Sequence, residues 1–236
     1  MRRTITAVPQ PEQGVRHFAR WVAAECPEGA RVLNVGAGCN LSGELPAVRR
    51  RAAVLVGVDP DDSIADNPTL DQSHRSTVQD FAAAHEAEFD LAFSVFVLEH
   101  VSDPAGFTEA CARVLKPGHA FMAMTVNLWH YFGLTSWLAN RLGVADALLA
   151  RVRAAEQVEE YHFPIEYRLN SITAITRHLE SAGFAAVEFR CWDLPSMYQS
   201  YLPARAGAFA RHYNRCVYAV GSPHLMGHIT FKATRA

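Results

Sequence analysis

The chain has 236 residues, half of them hydrophobic, and its formal net charge is -2. This length and apolar content suffice for one sizeable core, so we expect a single domain over residues 1–236. The nearly balanced charge provides no general attraction to nucleic acid, which disfavours a nucleic-acid partner. The five cysteines have neither the close pairing of a zinc site nor the density of a disulfide scaffold, which predicts reduced thiols and a cytoplasmic protein.

The first predicted element is an amphipathic helix over residues 11–26, within an N-terminal segment that extends to residue 30. An apolar run over 32–35 then breaks into a turn that contains Gly36, Ala37 and Gly38. A second apolar run over 53–58 ends at Asp59 and Pro60. The interval between the two runs fits one helix and one strand, which is typical of a doubly wound α/β sheet.

The turn and Asp59 together predict a nucleoside-type cofactor. Glycine lets the backbone approach a ligand because no Cβ stands in the way, and the following helix presents unpaired N–H groups. The Asp59 carboxylate can accept hydrogen bonds from both hydroxyls of a ribose. A dinucleotide dehydrogenase would need a third glycine where this chain has Leu41, so that class is disfavoured.

Further elements follow in a specific order. Residues 88–101 predict a buried strand that runs into a short helix through Leu98-Glu99-His100-Val101, and a helix starts at Asp103-Pro104. Leu115-Lys116-Pro117-Gly118 forms a turn before an apolar strand over 120–126. This set resembles the class I S-adenosylmethionine-dependent methyltransferases, in particular their small-molecule branch. The resemblance covers residues 28–127 and resumes near 181–184.

The resemblance implies a doubly wound Rossmann-like sheet of seven strands, the last antiparallel, with a helical insertion over 128–170 after the fifth strand. It implies S-adenosylmethionine as cofactor, with Asp80 taking the adenine amino group and Phe81 packing on the ring. A surface helix cap is the alternative role for Asp80. The cofactor residues that we expect are Asn34, Gly36, Ala37, Gly38, Asp59, Pro60, Asp80, Phe81, Ser94 and Val95.

One departure from the family pattern concerns Asn34, which stands where the family usually has Asp or Glu. An amide can still accept a hydrogen bond from the methionine ammonium, but without the assistance of a negative charge. This substitution predicts a modest affinity for the cofactor. Asn40 in place of a third family glycine is milder, because asparagine tolerates left-handed backbone conformations.

Two histidines are candidate general bases. Methyl transfer needs a base only when the acceptor atom carries a proton that must leave. His100 follows the fourth strand and His130 follows the fifth, and neutral imidazole suits proton removal near pH 7. A structural role remains the alternative for each of them.

The substrate contacts that we expect share a position after the fourth or fifth strand, or within the insertion: Phe96, Asn127, Tyr131, Tyr161, His162, Tyr167 and Arg168. A solvated helix followed by a pinned loop is the alternative for residues 156–170. Glu160 and His162 lack further ligands at regular spacing, so no metal site is expected. Residues 117–140 contain no charged side chain, yet polar residues interrupt them, which favours a strand and an apolar helix over a membrane span.

The sequence therefore predicts methyl transfer from S-adenosylmethionine to oxygen or nitrogen of a small molecule. The alternatives are methylation of a sugar or polysaccharide precursor, and a cofactor-binding protein without catalytic activity. The acceptor and the oligomeric state have no signature in the sequence.

Overall fold

A mixed sheet organises the chain, whose computed structural model describes residues 1–38, 46–143, 164–198 and 206–236. The sheet that these residues form has the strand order β1-β7-β8-β6-β5-β2-β3-β4. Only β8 is antiparallel to its two neighbours among these described strands. The strands are β1 (Arg2–Ala7), β2 (Ala30–Val35), β3 (Ala52–Asp59), β4 (Gln72–Arg75), β5 (Phe89–Val95), β6 (Leu115–Val126), β7 (Phe184–Trp192) and β8 (His228–Arg235). The predicted Rossmann-like architecture with an antiparallel last strand is confirmed.

The predicted number of seven strands is wrong, because the described residues form eight. The additional strand is β1, which pairs in parallel with β7 from Arg2 opposite Ala186 to Ala7 opposite Cys191. Its first three residues are exposed, as befits an edge strand with arginines on it. A polar strand of this kind lacks the apolar run that identifies β2, β3, β5 and β6 in the sequence.

Helices and short 3-10 turns connect the strands. The predicted N-terminal helix is confirmed as α1, and the predicted helix near residues 171–182 is confirmed as α6. The described helices are α1 (Gly14–Glu25), α2 (Pro46–Arg49), α3 (Val78–Ala82), α4 (Pro104–Val114), α5 (Tyr131–Arg141), α6 (Ile172–Ser181) and α7 (Gly207–Val220). The 3-10 turns are Asp62–Asp66, Leu98–His100, Pro195–Met197 and Pro223–Leu225.

Both faces of the sheet are covered, as expected for a doubly wound fold. On one face, Phe18 and Trp21 of α1 pack in a cluster with Phe93 and Trp192. On the other face, α3, α4 and α6 pack over a second cluster, in which the rings of Phe121 and Phe231 lie 5.6 Å apart. The sheet is therefore held between two apolar layers.

The uncharged stretch over residues 117–140 forms most of β6 and α5, in agreement with the prediction of a strand and an apolar helix. None of the helices formed by the described residues is long and apolar enough to cross a bilayer. Of the predicted insertion over 128–170, residues 144–163 lie outside the described part of the chain.

Candidate active site

The carboxyl ends of the parallel strands β2, β3, β5, β6 and β7 meet at one edge of the sheet. Ligands of open α/β sheets bind at this edge. Because β8 is antiparallel, its first residue, His228, lies at the same edge, opposite Val126 and Trp192. Most of the predicted site residues are thereby brought to one side of the molecule.

The turn after β2 has the backbone geometry that requires glycine. Gly36 has a φ of +72° and donates its N–H to the Val58 carbonyl at 2.8 Å. A Cβ on Gly36 would lie 2.2 Å from Cγ2 of Val97. Gly38 also has a positive φ, of +43°. The turn thus keeps its backbone bare where a ligand would approach.

The carboxylate of Asp59, at the end of β3, binds the backbone of this turn. Its Oδ2 accepts the N–H of Gly38 at 2.9 Å, and its Oδ1 accepts the N–H of Asp61 at 2.8 Å. Burial raises the pKa of Asp59, although these two backbone bonds pull it down. Each carboxylate oxygen keeps a further lone pair, so the side chain retains the capacity to accept ribose hydroxyls.

Asn67 is a site residue that sequence reasoning missed. Its buried Nδ2 donates to the carbonyls of Ala37 and Gly38, at 3.1 and 3.0 Å. The turn is therefore held on its N–H side by Asp59 and on its carbonyl side by Asn67. A single asparagine in a loop carries no sequence signal for this role.

The other predicted cofactor residues, on or just after β2, β3 and β5, lie at the same edge of the sheet. Asn34 on β2 is 5% exposed, and it lies between Gly57 of β3 and Phe93 of β5. Ser94 on β5 is fully buried, and its Oγ makes no hydrogen bond to the described residues. Val95 is half-buried and Pro60 is exposed. A bare glycine turn, a carboxylate beneath it and an unpaired hydroxyl nearby fit such a cofactor.

Phe81 lies in the core, and its predicted packing on the adenine ring stays a prediction. Its side chain is 4% exposed and belongs to the core, where His85 stacks on it with ring centroids 4.0 Å apart. Asp80 is exposed, and it takes part in the N-terminal cap of α3: its Oδ2 accepts the hydroxyl of Thr77 at 2.7 Å. The alternative role as a helix cap is thus present, and an adenine contact of Asp80 stays a prediction.

His100 lies on the 3-10 turn after β5, and its Nδ1 is 3.1 Å from the carbonyl of Pro164. A carbonyl can only accept, so Nδ1 carries the proton and the lone pair of the neutral ring is on Nε2. The Glu99 carbonyl accepts the N–H groups of Glu166 and Tyr167, at 2.7 and 3.1 Å. Residues 164–167 are therefore fastened to the segment that carries His100.

Glu99 is a second residue whose role was missed, although its motif was recognised. Its carboxylate is buried, and Oε2 accepts the hydroxyl of Thr125 at 2.9 Å. The Thr125 hydroxyl in turn accepts Nδ2 of Asn170 at 2.7 Å. Burial raises the pKa of Glu99, while the neighbouring His100 and the bond from Thr125 oppose that change.

The structure argues against His130 as a base. The Nδ1 of His130 accepts the N–H of Phe132 at 3.3 Å, so it caps α5, and Nε2 lies 3.2 Å from Oδ1 of Asp193. Nδ1 thus caps a helix, and Nε2 faces the Asp193 carboxylate without a hydrogen bond of normal geometry, in a side chain that is 1% exposed. Burial alone would raise the pKa of Asp193, but His130, Asn214 and Tyr198 outweigh it and lower that pKa.

Asn127 is also structural, contrary to the prediction of a substrate contact. Its Nδ2 donates to the carbonyls of His224 and Met226, both at 2.8 Å, and its Oδ1 accepts the N–H of Trp129. Both of its amide protons are thus used within the fold, and the side chain is 1% exposed.

The other predicted substrate residues fall into three groups. Phe96 at the carboxyl end of β5 has a φ of +55°, and Tyr131 opens α5 beside His130, with ring centroids 4.2 Å apart. Tyr167 is buried with a φ of +53°, whereas Arg168 is exposed and donates to the Ser102 carbonyl. Tyr161 and His162 lie outside the described residues.

A family model described as "Methyltransferase domain" matches residues 10–188, which is well over half of the chain. The chain belongs to the methyltransferase-domain family. This assignment confirms the predicted methyltransferase family.

Relatives of known name agree with the assignment. The chain is 36% identical to "Ubiquinone biosynthesis O-methyltransferase" of Thiobacillus denitrificans, over 46% of this chain and 50% of that protein. It is 37% identical to the protein of the same name from Hahella chejuensis, over 42% of this chain and 44% of that one. The chain thus spans about half the length of these relatives.

Solved structures share the fold at low sequence identity. The YcgJ protein from Bacillus subtilis superposes with a TM-score of 0.60 and 17% identity, covering 93% of this chain and 98% of that one. A SAM-dependent methyltransferase from Archaeoglobus fulgidus superposes with a TM-score of 0.59 and 15% identity, covering 94% of this chain and 93% of that one. These likenesses support the α/β architecture of the family member described above.

We predict that Gly36→Ala is more harmful than Gly183→Ala, although both glycines have positive φ values. Gly183 has open space around its missing Cβ, so its replacement adds only backbone strain of about 1–2 kcal/mol. Gly36→Ala adds a collision with the stiff Val97 side chain. Denaturant unfolding should show the larger loss for Gly36→Ala, and calorimetry should show at least about tenfold weaker binding of S-adenosylhomocysteine. Equal losses and equal affinities would contradict this account of the turn.

A second prediction concerns pH. Because the pKa of Glu99 is raised in the folded state, the folded protein retains that proton at pH values where the unfolded chain has lost it, so this group destabilises the fold as pH rises. Glu99→Gln should therefore melt above wild type at pH 8, and the gap should close near pH 4, the ordinary range of a glutamate. The matched control is Glu109→Gln, an exposed glutamate on α4. A gap that does not change with pH would refute the prediction.

Proposed function

We propose that this protein transfers a methyl group from S-adenosylmethionine to a hydroxyl oxygen of a small molecule with substantial apolar or aromatic surface. The observation that carries the proposal is the family match over residues 10–188, together with the glycine turn held by Asp59 in that range. We further propose that one domain does this, in the cytoplasm and without nucleic acid as a partner, which rests on composition and cysteine pattern.

Oxygen is favoured over nitrogen by the relatives, because the proteins from Thiobacillus denitrificans and Hahella chejuensis are named O-methyltransferases. An apolar or aromatic acceptor is favoured by the rings on the β6 and β7 side of the edge. The ring centroid of Tyr131 lies 5.1 Å from that of Phe209 and 4.9 Å from that of Tyr213. Phe132 stacks on Tyr198 with ring centroids 5.3 Å apart. Aromatic walls with few polar groups are typical of sites for such ligands.

The cofactor would be held by the turn and its supports. Gly36 and Gly38 let the backbone approach it, Asp59 accepts the ribose hydroxyls, and Asn34 can accept from the methionine ammonium. When bound, the cofactor supplies a methyl group that its positive sulfonium already activates. The protein therefore contributes alignment and exclusion of water, which can lower a barrier by about 7–11 kcal/mol in favourable cases.

His100 is the residue that we propose as general base. Its Nδ1–H is fixed by the Pro164 carbonyl, which orients the ring and leaves Nε2 as the basic atom. In methyl transfer, Nε2 would accept the proton of the acceptor hydroxyl as its oxygen takes the methyl group that the cofactor would supply, and the sulfur would keep the electron pair of the broken sulfur–carbon bond. With His130 engaged by Phe132 and Asp193, His100 is the candidate that the geometry favours.

A cofactor-binding protein without catalytic activity is the second candidate. The observation that favours it is Asn34, an uncharged side chain at a buried position of β2 where the family usually has an acid. Calorimetry with S-adenosylhomocysteine and radiolabelled methyl transfer to hydroxylated acceptors separate the candidates. Binding without transfer to any acceptor would favour the second.

We predict that Asp59→Asn binds S-adenosylhomocysteine at least about tenfold more weakly than wild type. A hydrogen bond to an ionised acceptor contributes about 1.5–3 kcal/mol, and tenfold corresponds to 1.4 kcal/mol. Asparagine is the milder replacement, because its single amide oxygen can still accept one of the N–H groups of Gly38 and Asp61, whereas alanine would release both. Asp61→Asn, two residues away, should bind as wild type does. Unchanged affinity of a folded Asp59→Asn would place the ribose elsewhere.

The base is tested by His100→Gln, which should lower kcat by about 10² or more and flatten the pH dependence of kcat/KM, with cofactor affinity unchanged. His119 provides a matched control, because its Nδ1 also lies 3.1 Å from a proline carbonyl, that of Pro117, at the far end of β6. His119→Gln should be fully active. Wild-type turnover of His100→Gln between pH 6 and 9 would assign His100 a purely structural role.

A further inference from the structure

His228 opens β8 at the same edge of the sheet as the candidate site, within a wall of aromatic rings. The rings of Trp192 and Tyr198 lie nearly parallel to its imidazole, with centroids 6.4 and 6.2 Å away and interplanar angles of 24° and 20°. The ring of Phe96 lies edge-on at 6.4 Å. Phe96 is the predicted substrate contact that ends β5, so His228 adjoins the acceptor side of the edge.

A nitrogen of His228 has no partner within the described fold. The side chain is 2% exposed, and Nδ1 makes no hydrogen bond of normal geometry to the described residues. Buried polar atoms are nearly always paired, because the loss of water without a replacement costs free energy. An unpaired buried nitrogen requires an explanation, and a ligand that supplies the missing partner is one.

The neighbouring carboxylate of Asp193 does not supply the missing hydrogen-bond partner of His228 Nδ1. Asp193 accepts the hydroxyl of Tyr198 and Nδ2 of Asn214, both at 2.9 Å, and it faces His130. Burial, assisted by the nearby His130, lowers the pKa of His228 to about 4, against smaller opposing effects of Asp193 and of the Trp192 backbone. The imidazole is therefore neutral at physiological pH, and it can pair with an uncharged polar group without the penalty of a buried charge.

We propose that His228 binds the acceptor: its Nδ1 pairs with a polar substituent of a planar ring that packs against Phe96 and Tyr198. This inference rests on the proposed function, and it specifies the acceptor as a ring that carries a second polar group besides the methylated hydroxyl. His228 determines specificity here and takes no part in proton transfer.

Two variants and a control separate binding from structure. His228→Phe keeps a ring and removes both nitrogens, whereas His228→Asn keeps a polar nitrogen near the position of Nδ1. The control Thr230→Val removes a buried hydroxyl on the same strand that donates to the Arg190 carbonyl at 2.6 Å. Without acceptor, His228→Phe should melt close to the wild-type temperature, because Nδ1 makes no hydrogen bond of normal geometry and only the interaction of the ring with the Trp192 backbone is lost, and Thr230→Val should melt lower. A decrease for His228→Phe like that of Thr230→Val would overturn the inference.

Kinetics with defined probes complete the test. We expect wild type to favour 1,2- or 1,3-dihydroxybenzene over phenol by at least about tenfold in kcat/KM. In His228→Phe this preference should vanish through a higher KM, with kcat and S-adenosylhomocysteine affinity nearly unchanged, and His228→Asn should restore part of it. An active wild type without the preference, or a preference that persists in His228→Phe, would overturn this inference alone. Transfer to no hydroxylated acceptor would instead overturn the proposed function.

Discussion

The carboxylate of Asp59 is the constraint on which the cofactor side of the molecule depends. It sits where β3 ends, and it binds the N–H groups of Gly38 and Asp61 at once, so the turn after β2 and the segment after β3 share one anchor. Asn67 completes the arrangement from the carbonyl side of the turn. The shape of this half is thus set before any ligand arrives, which reduces the entropy that binding must remove.

A second buried carboxylate organises the opposite half. Asp193 follows β7 and receives Tyr198, Asn214 of α7 and the capping histidine of α5, His130. Elements that are far apart in sequence therefore contact the same carboxylate, that of Asp193. These contacts hold the aromatic rings around it in place. Removing any one partner would leave the charge less compensated, so this half behaves as a unit. The two halves meet at the end of β5, where Phe96 and the segment with His100 lie.

The sequence predicts those parts of this architecture whose signals lie close together along the chain. The apolar runs of β2, β3, β5 and β6 and the small residues of the turn identify the cofactor side, because each signal lies within a few residues of the next. The misassigned residues depend on distant partners instead: Asn127 is bound by carbonyls 97 and 99 residues away. His130 looks like a base until Asp193 and the N–H of Phe132 are placed beside it. Glu99, Asp193 and His228 stand out only through burial, which periodicity does not specify.

The attachment of residues 164–167 to the segment after β5 has an evolutionary consequence. It consists largely of main-chain contacts, in which the Glu99 carbonyl receives two N–H groups and the Pro164 carbonyl receives His100. Backbone atoms are the same whatever side chain a codon specifies. Mutations in this stretch can therefore change its side chains without detaching its main chain from His100, and under the proposed function this would let substrate preference diversify while the position of the proposed base is inherited.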